Sequence, residues 1–576
     1  MTRATRTTAL LLSALVGGCG AGLRMFPLRA PMQVDADMRP FSPMPERYKS
    51  PFVWDAVDQT IFYPTSRFFA VDPGGEAVNV NAFDEVPDSS WFTNRIGVRP
   101  MSLEEYVRAA CDEPPLDPAG PWTVTAAKPN GYNPGFFIED AHGRKFMVKF
   151  DGLTTGERAT SADAIGSVFF WAVGYHAPCQ DIVFFDKSIL RIREGATAEN
   201  ADGEDVPLTM AYIEKALAKG LRTPDGRYRA SSSQFLDGVP LGPWTYAGTR
   251  DDDPNDVVPH EDRREVRGAG ILASWIGHFD TREQNTMATW IAVRGDAGYV
   301  RHYYMDFGSA FGSLWDWDGI SRRLGHAYYL DIPYLVEDFL TLGLIRRPWE
   351  SVELGPTGRT LGYFDVRHFE PDAWRPGYPN PAFGRQTERD AAWMARLIAE
   401  LRDPYVAAAV DRGEWADRRG RDLLLRILLG RRDKLLRRWF RQLSPLTRPH
   451  LEPTLDGGGT RLCRRDLALY AGLVPRAHRP YRKRAWVVQP PSASEPTPVD
   501  LGAMSARAPD NVCVELPRVP GATRAAAAYL VVDVTGLDGP TDEDARPARV
   551  HLYQIGPNEY RIVGLERPDD DDPWGS

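Results

Sequence analysis

The 576-residue sequence predicts an α+β protein of more than one domain. Three observations carry that expectation. Strand-like patterns crowd residues 122–193, amphipathic helical patterns dominate 261–443, and short strand-like runs return between 527 and 563. A hydrophobic fraction of 43% and a charged fraction of 26% belong to a globular chain, and no stretch is long enough for a mature membrane span. The net charge of −9 argues against nucleic acid as a main partner.

The N-terminus has its own logic. Arg3 and Arg6 precede an apolar run from Ala9 to Val16 that ends in Val16-Gly17-Gly18-Cys19. A basic start, a short apolar run and small residues before a cleavage point make a secretory signal over residues 1–18. The cysteine at its end resembles the lipobox of bacterial lipoproteins. That resemblance implies an acylated Cys19, a membrane anchor and, with Gly20 following, an outer-membrane place in the cell envelope. Cys111, Cys179, Cys463 and Cys513 then remain. An export compartment permits disulfides in any of three pairings, and buried free thiols stay open as well.

Residues 19–120 read as a tether and an N-terminal extension, with a helix N-cap at Ser102 followed by Glu104 and Glu105. Phe136 to Glu139 and Arg144 to Phe150 predict a hairpin around Asp140-Ala141-His142-Gly143. In its second strand Phe146, Val148 and Phe150 share one face, and Lys145, Met147 and Lys149 the other. Ala159 to Val173 predicts a helix and Gln180 to Arg193 further strand. An insertion over 194–227 holds one helix near Met210 to Ala218, and Tyr228 to Phe235 returns to strand. Glu261 to His278 predicts an amphipathic helix that delivers the chain to Asp280. A second hairpin follows, Thr286 to Val293 and Tyr299 to Met305, then helices near Ile332–Leu344, Arg385–Leu401 and Arg421–Leu443. Arg263 and Arg264, and the cluster Arg431-Arg432-Asp433-Lys434, read as solvated helix faces. Residues 446–500 read as a Pro-rich irregular linker, 501–565 as a small β module and 566–576 as an acidic tail.

Three strings carry chemistry. They are Phe146-Met147-Val148-Lys149-Phe150, His278-Phe279-Asp280-Thr281-Arg282-Glu283-Gln284-Asn285, and Tyr304-Met305-Asp306-Phe307-Gly308. A strand lysine, an H-x-D-x-x-x-x-N loop and a D-F-G triplet are parts that phosphoryl transfer from a nucleotide needs. Asp306 follows Asn285 by 21 residues, a gap filled by one hairpin. Over residues 122–445 the chain resembles the protein-kinase-like superfamily. It is most similar to the atypical branches, the phosphatidylinositol-type, spore-coat and persistence-toxin kinases, since no A-P-E motif follows Asp306.

The resemblance implies a two-lobed protein-kinase-like fold, with the first lobe over 121–245 and a helical lobe over 246–445. It implies ATP and Mg²⁺ as cofactors. Lys149 would contact the nucleotide phosphates, Asp163 (preferred over Glu157) would hold Lys149, and Asn285 and Asp306 would bind the metal. Asp280 would position the acceptor hydroxyl and Arg282 would screen the transferring group. Gly131 and Gly135, in Asn130-Gly131-Tyr132-Asn133-Pro134-Gly135, stand where a phosphate-covering loop belongs, without the full G-x-G-x-x-G pattern. The expected function is an envelope phosphotransferase acting on an unidentified hydroxyl acceptor. The alternatives are a kinase-fold pseudoenzyme serving as an envelope scaffold, or transfer of a nucleotidyl group by the same residues.

Overall fold

A computed structural model describes residues 24–69, 74–128, 133–152, 156–199, 205–312, 318–357, 360–454, 456–488, 496–505, 508–537 and 545–568. The leader expected over 1–18, the expected lipidation residue Cys19, Gly131 and the tail from residue 569 lie outside the described residues. The protein is α+β. Its described residues form two compact units, one of those within 33–80 and 86–439, the other of those within 24–32, 81–85 and 440–568.

The larger unit begins with an extended arm that turns helical over Phe52–Val57 and again over Tyr63–Phe69. Helix α1, Leu103–Arg108, is capped by the Ser102 side chain, which accepts from Glu105 N–H. Seven strands follow: β1 (Trp122–Ala127), β2 (Gly135–Glu139), β3 (Lys145–Phe150), β4 (Gln180–Phe185), β5 (Leu190–Glu199), β6 (Asp205–Pro207) and β7 (Tyr228–Gln234). They make one sheet in the order β4-β7-β3-β2-β1-β5-β6. β1 and β5 pair in parallel and the other neighbours run antiparallel.

The alternation expected for β3 holds. Phe146, Val148 and Phe150 join Trp122, Phe136 and Phe185 in a buried core, which helix α3 (Met210–Leu217) completes with Ile213 and Leu217. Helix α2, Arg158–Val173, runs between β3 and β4 and is buried at every position but Trp171. A helix so enclosed cannot show a one-sided apolar stripe.

The rest of this unit is mainly helical. A three-stranded sheet in the order β10-β9-β8 is formed by β8 (Val239–Gly242), β9 (Thr286–Arg294) and β10 (Ala297–Tyr304). Because β8 pairs with β9, it belongs with the elements after residue 246 rather than with the first sheet, to which the sequence boundary assigned it. Its longer helices are α4 (Arg264–Ile276), α5 (Ile332–Leu340), α6 (Glu388–Glu400), α7 (Asp403–Asp411) and α8 (Arg418–Gln442).

The expectation of solvated arginines fails on α4. Arg263 and Arg264 are both buried, and Arg264 shares the Asp390 carboxylate of α6 with the equally buried Arg267, each at 3.1 Å. Arg431 fails likewise: its guanidinium is buried over the rings of Phe369 and Phe364. A guanidinium can be buried when carboxylates, carbonyls or aromatic faces replace its water, and no periodicity announces those partners.

The second unit overturns the linker expected at 446–500 and enlarges the module expected at 501–565. That stretch holds β11 (Leu446–Pro453), β12 (Thr460–Asp466), β13 (Tyr481–Val488) and β14 (Thr497–Pro498). The remaining strands are β15 (Met504–Ser505), β16 (Asn511–Glu515), β17 (Ala528–Gly536), β18 (Ala548–Gly556) and β19 (Glu559–Glu566). They form sheets ordered β11-β12-β16-β15 and β14-β13-β17-β18-β19, which bury one common core including Leu462, Val514, Leu530, Val532 and Val550. Pro449, Pro453 and Pro498 lie in β11 and β14, both edge strands, where a missing N–H costs no ladder bond. The four cysteines are paired, Cys111 with Cys179 and Cys463 with Cys513.

Candidate active site

Lys149 lies near the end of β3, across from Gly135 on β2 and Ser231 on β7. Its side chain is only 3% exposed. A buried ammonium needs anionic partners, and it has two: Asp163 Oδ2 on α2 at 2.6 Å and Asp306 Oδ1, just beyond β10, at 3.0 Å. Glu157, the other candidate partner, instead accepts from Ala416 N–H at 2.9 Å. The Ser231 hydroxyl adds a bond to Asp163 Oδ2 at 3.3 Å, while Asp163 Oδ1 is buried with no hydrogen-bond partner.

Burial would lower the Lys149 pKa, but Asp163 and Asp306 outweigh it and hold the ammonium charged. The two carboxyls diverge. Burial lifts Asp163 to about 6, against the pull of Lys149. Burial also presses Asp306 upward, but Lys149 and then Lys128 bring it down to about 2. Asp306 retains 40% of its side-chain exposure, so an ionised carboxylate reaches solvent beside a buried ammonium.

The Asp280 loop is set by the end of α4. Gly277 takes the left-handed conformation (φ 68°) that ends the helix, and its N–H reaches Ala273 O. Arg431 donates to the Trp275 and Ser274 carbonyls at 2.9 and 2.6 Å, which satisfies part of the helix end. His278 is buried and held neutral, its pKa lowered to about 4 by burial against the pull of Asp306.

Asn285 Nδ2 donates to the Asp280 carbonyl at 2.7 Å, and Met305 N–H donates to Asn285 O at 2.9 Å. The first closes the loop on itself, and the second fastens it to the end of β10 beside Asp306. Arg282 Nε sits 3.1 Å from Asp280 Oδ1. Burial raises the Asp280 pKa, Arg282 and Asn285 oppose it, and the charge of Asp306 adds to the rise. The five predicted residues Lys149, Asp163, Asp280, Asn285 and Asp306 thus occupy one neighbourhood, with Arg282 on Asp280.

Packing pins this arrangement from behind. Phe307 meets Phe170 of α2 with ring centroids 4.7 Å apart and His278 at 5.8 Å. α2 allows this approach because position 166 is glycine; a Cβ there would stand 2.5 Å from Phe307 Cβ. Arg158 at the start of α2 donates to the carbonyls of Gly308, Ala310 and Gly312 at 3.3, 3.2 and 2.8 Å.

Gly135 begins β2, where a Cβ would meet Val148 O at 2.5 Å, so strand pairing accounts for it. Lys128, at the end of β1, was missed. Burial lowers its pKa, with Lys149 adding to the fall and Asp306 and Asp163 opposing it. Its place two residues before the Asn130–Gly135 string was the available signal. The arm was missed too. Tyr48 and Ser50 hydroxyls donate to Glu283 Oε2 at 3.2 and 2.9 Å, and Gln284 Nε2 donates to Ser50 and to Asp55. Nothing local in the sequence links positions some 230 apart.

The donor set suits a hard divalent cation, which seeks oxygen ligands. Asp306 offers an ionised carboxylate, and Asn285, its amide nitrogen engaged, offers its amide oxygen. A separate cavity of about 290 Å³, lined by Arg95, Trp171, His176, Gln234, Arg301 and Tyr303 among others, includes none of these residues. Comparison of the chain with protein-family models, with curated proteins and with solved structures finds no match.

Proposed function

We propose that the chain is a Mg·ATP-dependent phosphotransferase of two-lobed, protein-kinase-like architecture. In this reading an N-terminal lipid anchor holds it in the bacterial envelope, and it acts on a hydroxyl acceptor. The observation that carries the reading is Lys149 bridging Asp163 and Asp306, with Asn285 fastened beside Asp306. Lys149 would hold the nucleotide phosphates, and Asp163 keeps it in place. Asp306 and Asn285 would hold Mg²⁺, which when bound would offset the charge of the β- and γ-phosphates. Asp280 would orient the acceptor hydroxyl and take its proton, and Arg282 would screen the charge spread over the transferring group. Paired cysteines in both units support an oxidising, exported setting.

Transfer of radiolabel from γ-labelled ATP tests this. Asp306→Ala should abolish transfer, and Asp280→Ala should reduce it by ~10²–10⁴-fold. Full transfer by either variant rejects the mechanism. A second reading, a kinase-fold scaffold without transfer, is favoured by the arm at Tyr48–Asp55, which engages Glu283 and Gln284 inside the Asp280 loop.

A further inference from the structure

The first sheet places a second lysine beside Lys149. Lys128 directly follows β1, and its N–H donates to Gly135 O at 3.0 Å. Gly135 in turn lies across from Lys149 on β3, and Lys149 across from Ser231 on β7. Residues in register on adjacent strands project to the same face. Lys128, Lys149 and Ser231 therefore form one row, on the face that meets Asp163 of α2. Between the two lysines that row holds only Gly135, which contributes no side chain. Two strand spacings, about 10 Å, separate their backbones.

The two ammonium groups are unequally supplied with partners. Lys149 is buried and holds both Asp163 and Asp306, at 2.6 and 3.0 Å. Lys128 is half-buried, and among the described residues its Nζ meets no carboxylate and donates only to Asn133 O, at 3.3 Å. Burial and then Lys149 lower the Lys128 pKa, while Asp306 and Asp163 oppose the fall, so the four charges act on one another across one space. Lys149 and then Lys128 hold Asp306 ionised against its burial.

These charges define what fits between the lysines. At neutral pH the two ammonium groups balance the two carboxylates. A divalent cation on Asp306 and Asn285 would leave two positive charges in excess, and the Asp280–Arg282 pair beside them adds none. A chain of phosphates supplies both the missing negative charge and oxygens for charge-assisted bonds from either ammonium. The string Asn130-Gly131-Tyr132-Asn133-Pro134-Gly135 lacks the full glycine pattern of a phosphate-covering loop. A lysine at its edge brings positive charge to the same oxygens.

We infer that Lys128 is a second phosphate-binding lysine, which with Lys149 flanks the phosphate tail of the nucleotide and favours a polyphosphate over a monophosphate. The inference rests on the phosphotransferase reading, since that reading supplies the nucleotide.

The test uses the full chain, with Mg·ATP affinity measured by calorimetry and AMP affinity by calorimetric competition. Lys128→Met should weaken Mg·ATP binding by about ten-fold or more, the scale of a charge-assisted hydrogen bond, and AMP binding by less than about three-fold. Lys128→Arg keeps the charge and should retain most of the Mg·ATP affinity. Lys128→Gln keeps a donor for Asn133 O without the charge and should behave as Lys128→Met does. Thermal unfolding without nucleotide should be the same in all four chains. Equal Mg·ATP affinity in the parent and the Met and Gln variants overturns the inference and leaves the phosphotransferase reading in place. So does an equal loss of Mg·ATP and AMP, or full affinity in the Gln variant alone, either of which assigns Lys128 to holding the turn at Asn133. A parent chain that binds no nucleotide rejects the phosphotransferase reading itself, and with it a phosphate role for Lys128.

Discussion

Asp163 and Asp306 lean on one ammonium group and yet ionise in opposite directions. Burial raises the carboxyl pKa of Asp163, enclosed between α2 and the sheet, while Lys149 and Lys128 hold down that of Asp306, which keeps 40% of its side-chain exposure. That division suits a structural partner on one side and a cation ligand on the other. His278 makes a separate prediction. Its folded-state pKa of about 4 lies below its ordinary 6.5, so the proton binds more readily after unfolding. The stability it confers is therefore fully present above pH 6.5 and is lost as pH falls toward 4, by up to about 3 kcal/mol. In denaturant titrations across that range, His278→Phe, which keeps a ring against Phe307, should flatten the acid-side slope. An unchanged slope contradicts a neutral buried imidazole. These residues were readable as types at fixed spacing. Their ionisation was not, because it follows from Lys128, Ser231 and the depth of burial, which arise only when distant strands meet.

The elements around the site act as clamps. α2 supplies Asp163, the Gly166 gap for Phe307 and the Arg158 bonds, so one helix positions both the lysine and the turn after Asp306. The arm clamps the opposite side through Glu283, whose pKa burial and Asp55 lift to about 7. A carboxyl raised in this way stabilises the docked arm at low pH, and that contribution is lost as pH rises through about 7. Hydrogen exchange over residues 46–58 should therefore quicken between about pH 4.5 and pH 7 beyond its intrinsic pH dependence, and Glu283→Gln should abolish the excess. No excess in the parent chain rules out arm docking through a protonated Glu283. At this scale the hairpins and most of the longer helices were legible, since period and caps are local signals, but the arm helices and α7 were not expected. Helix α2 was expected from Ala159 to Val173 and spans Arg158–Val173. The pairing of β7 between β3 and β4 was not legible, because sheet order is set by contacts far apart in sequence. β11 and β13 were hidden for another reason. Prolines in one and a run of basic residues in the other mask the alternation, and both strands keep a polar face.

At the scale of the molecule, two units fold around separate cores, and each carries its own disulfide. Replacing Cys463 and Cys513 by alanine should lower the stability of the β unit by about 2–4 kcal/mol, and replacing Cys111 and Cys179 should do the same for the larger unit. Scanning calorimetry should show each double variant lowering one transition and sparing the other; a shift of both by either variant contradicts independent units. Where the β unit begins was not readable in the sequence, since residues 24–32 and 81–85 join it across hundreds of positions. Phe26 illustrates the point: its N–H donates to the Tyr529 hydroxyl at 3.0 Å. The candidate site, by contrast, was legible in outline because chemistry restricts its residue types: three strings named Lys149, Asp280, Asn285 and Asp306, the following helix offered Asp163, and Lys128 was missed. Whether those members bind a metal-chelated nucleotide is the question on which the account turns. Calorimetric titration of the purified chain with ATP and Mg²⁺ answers it most directly. The account predicts saturable, Mg²⁺-dependent binding that Lys149→Ala and Asp306→Asn remove while the fold is retained. No binding heat at millimolar nucleotide would contradict it.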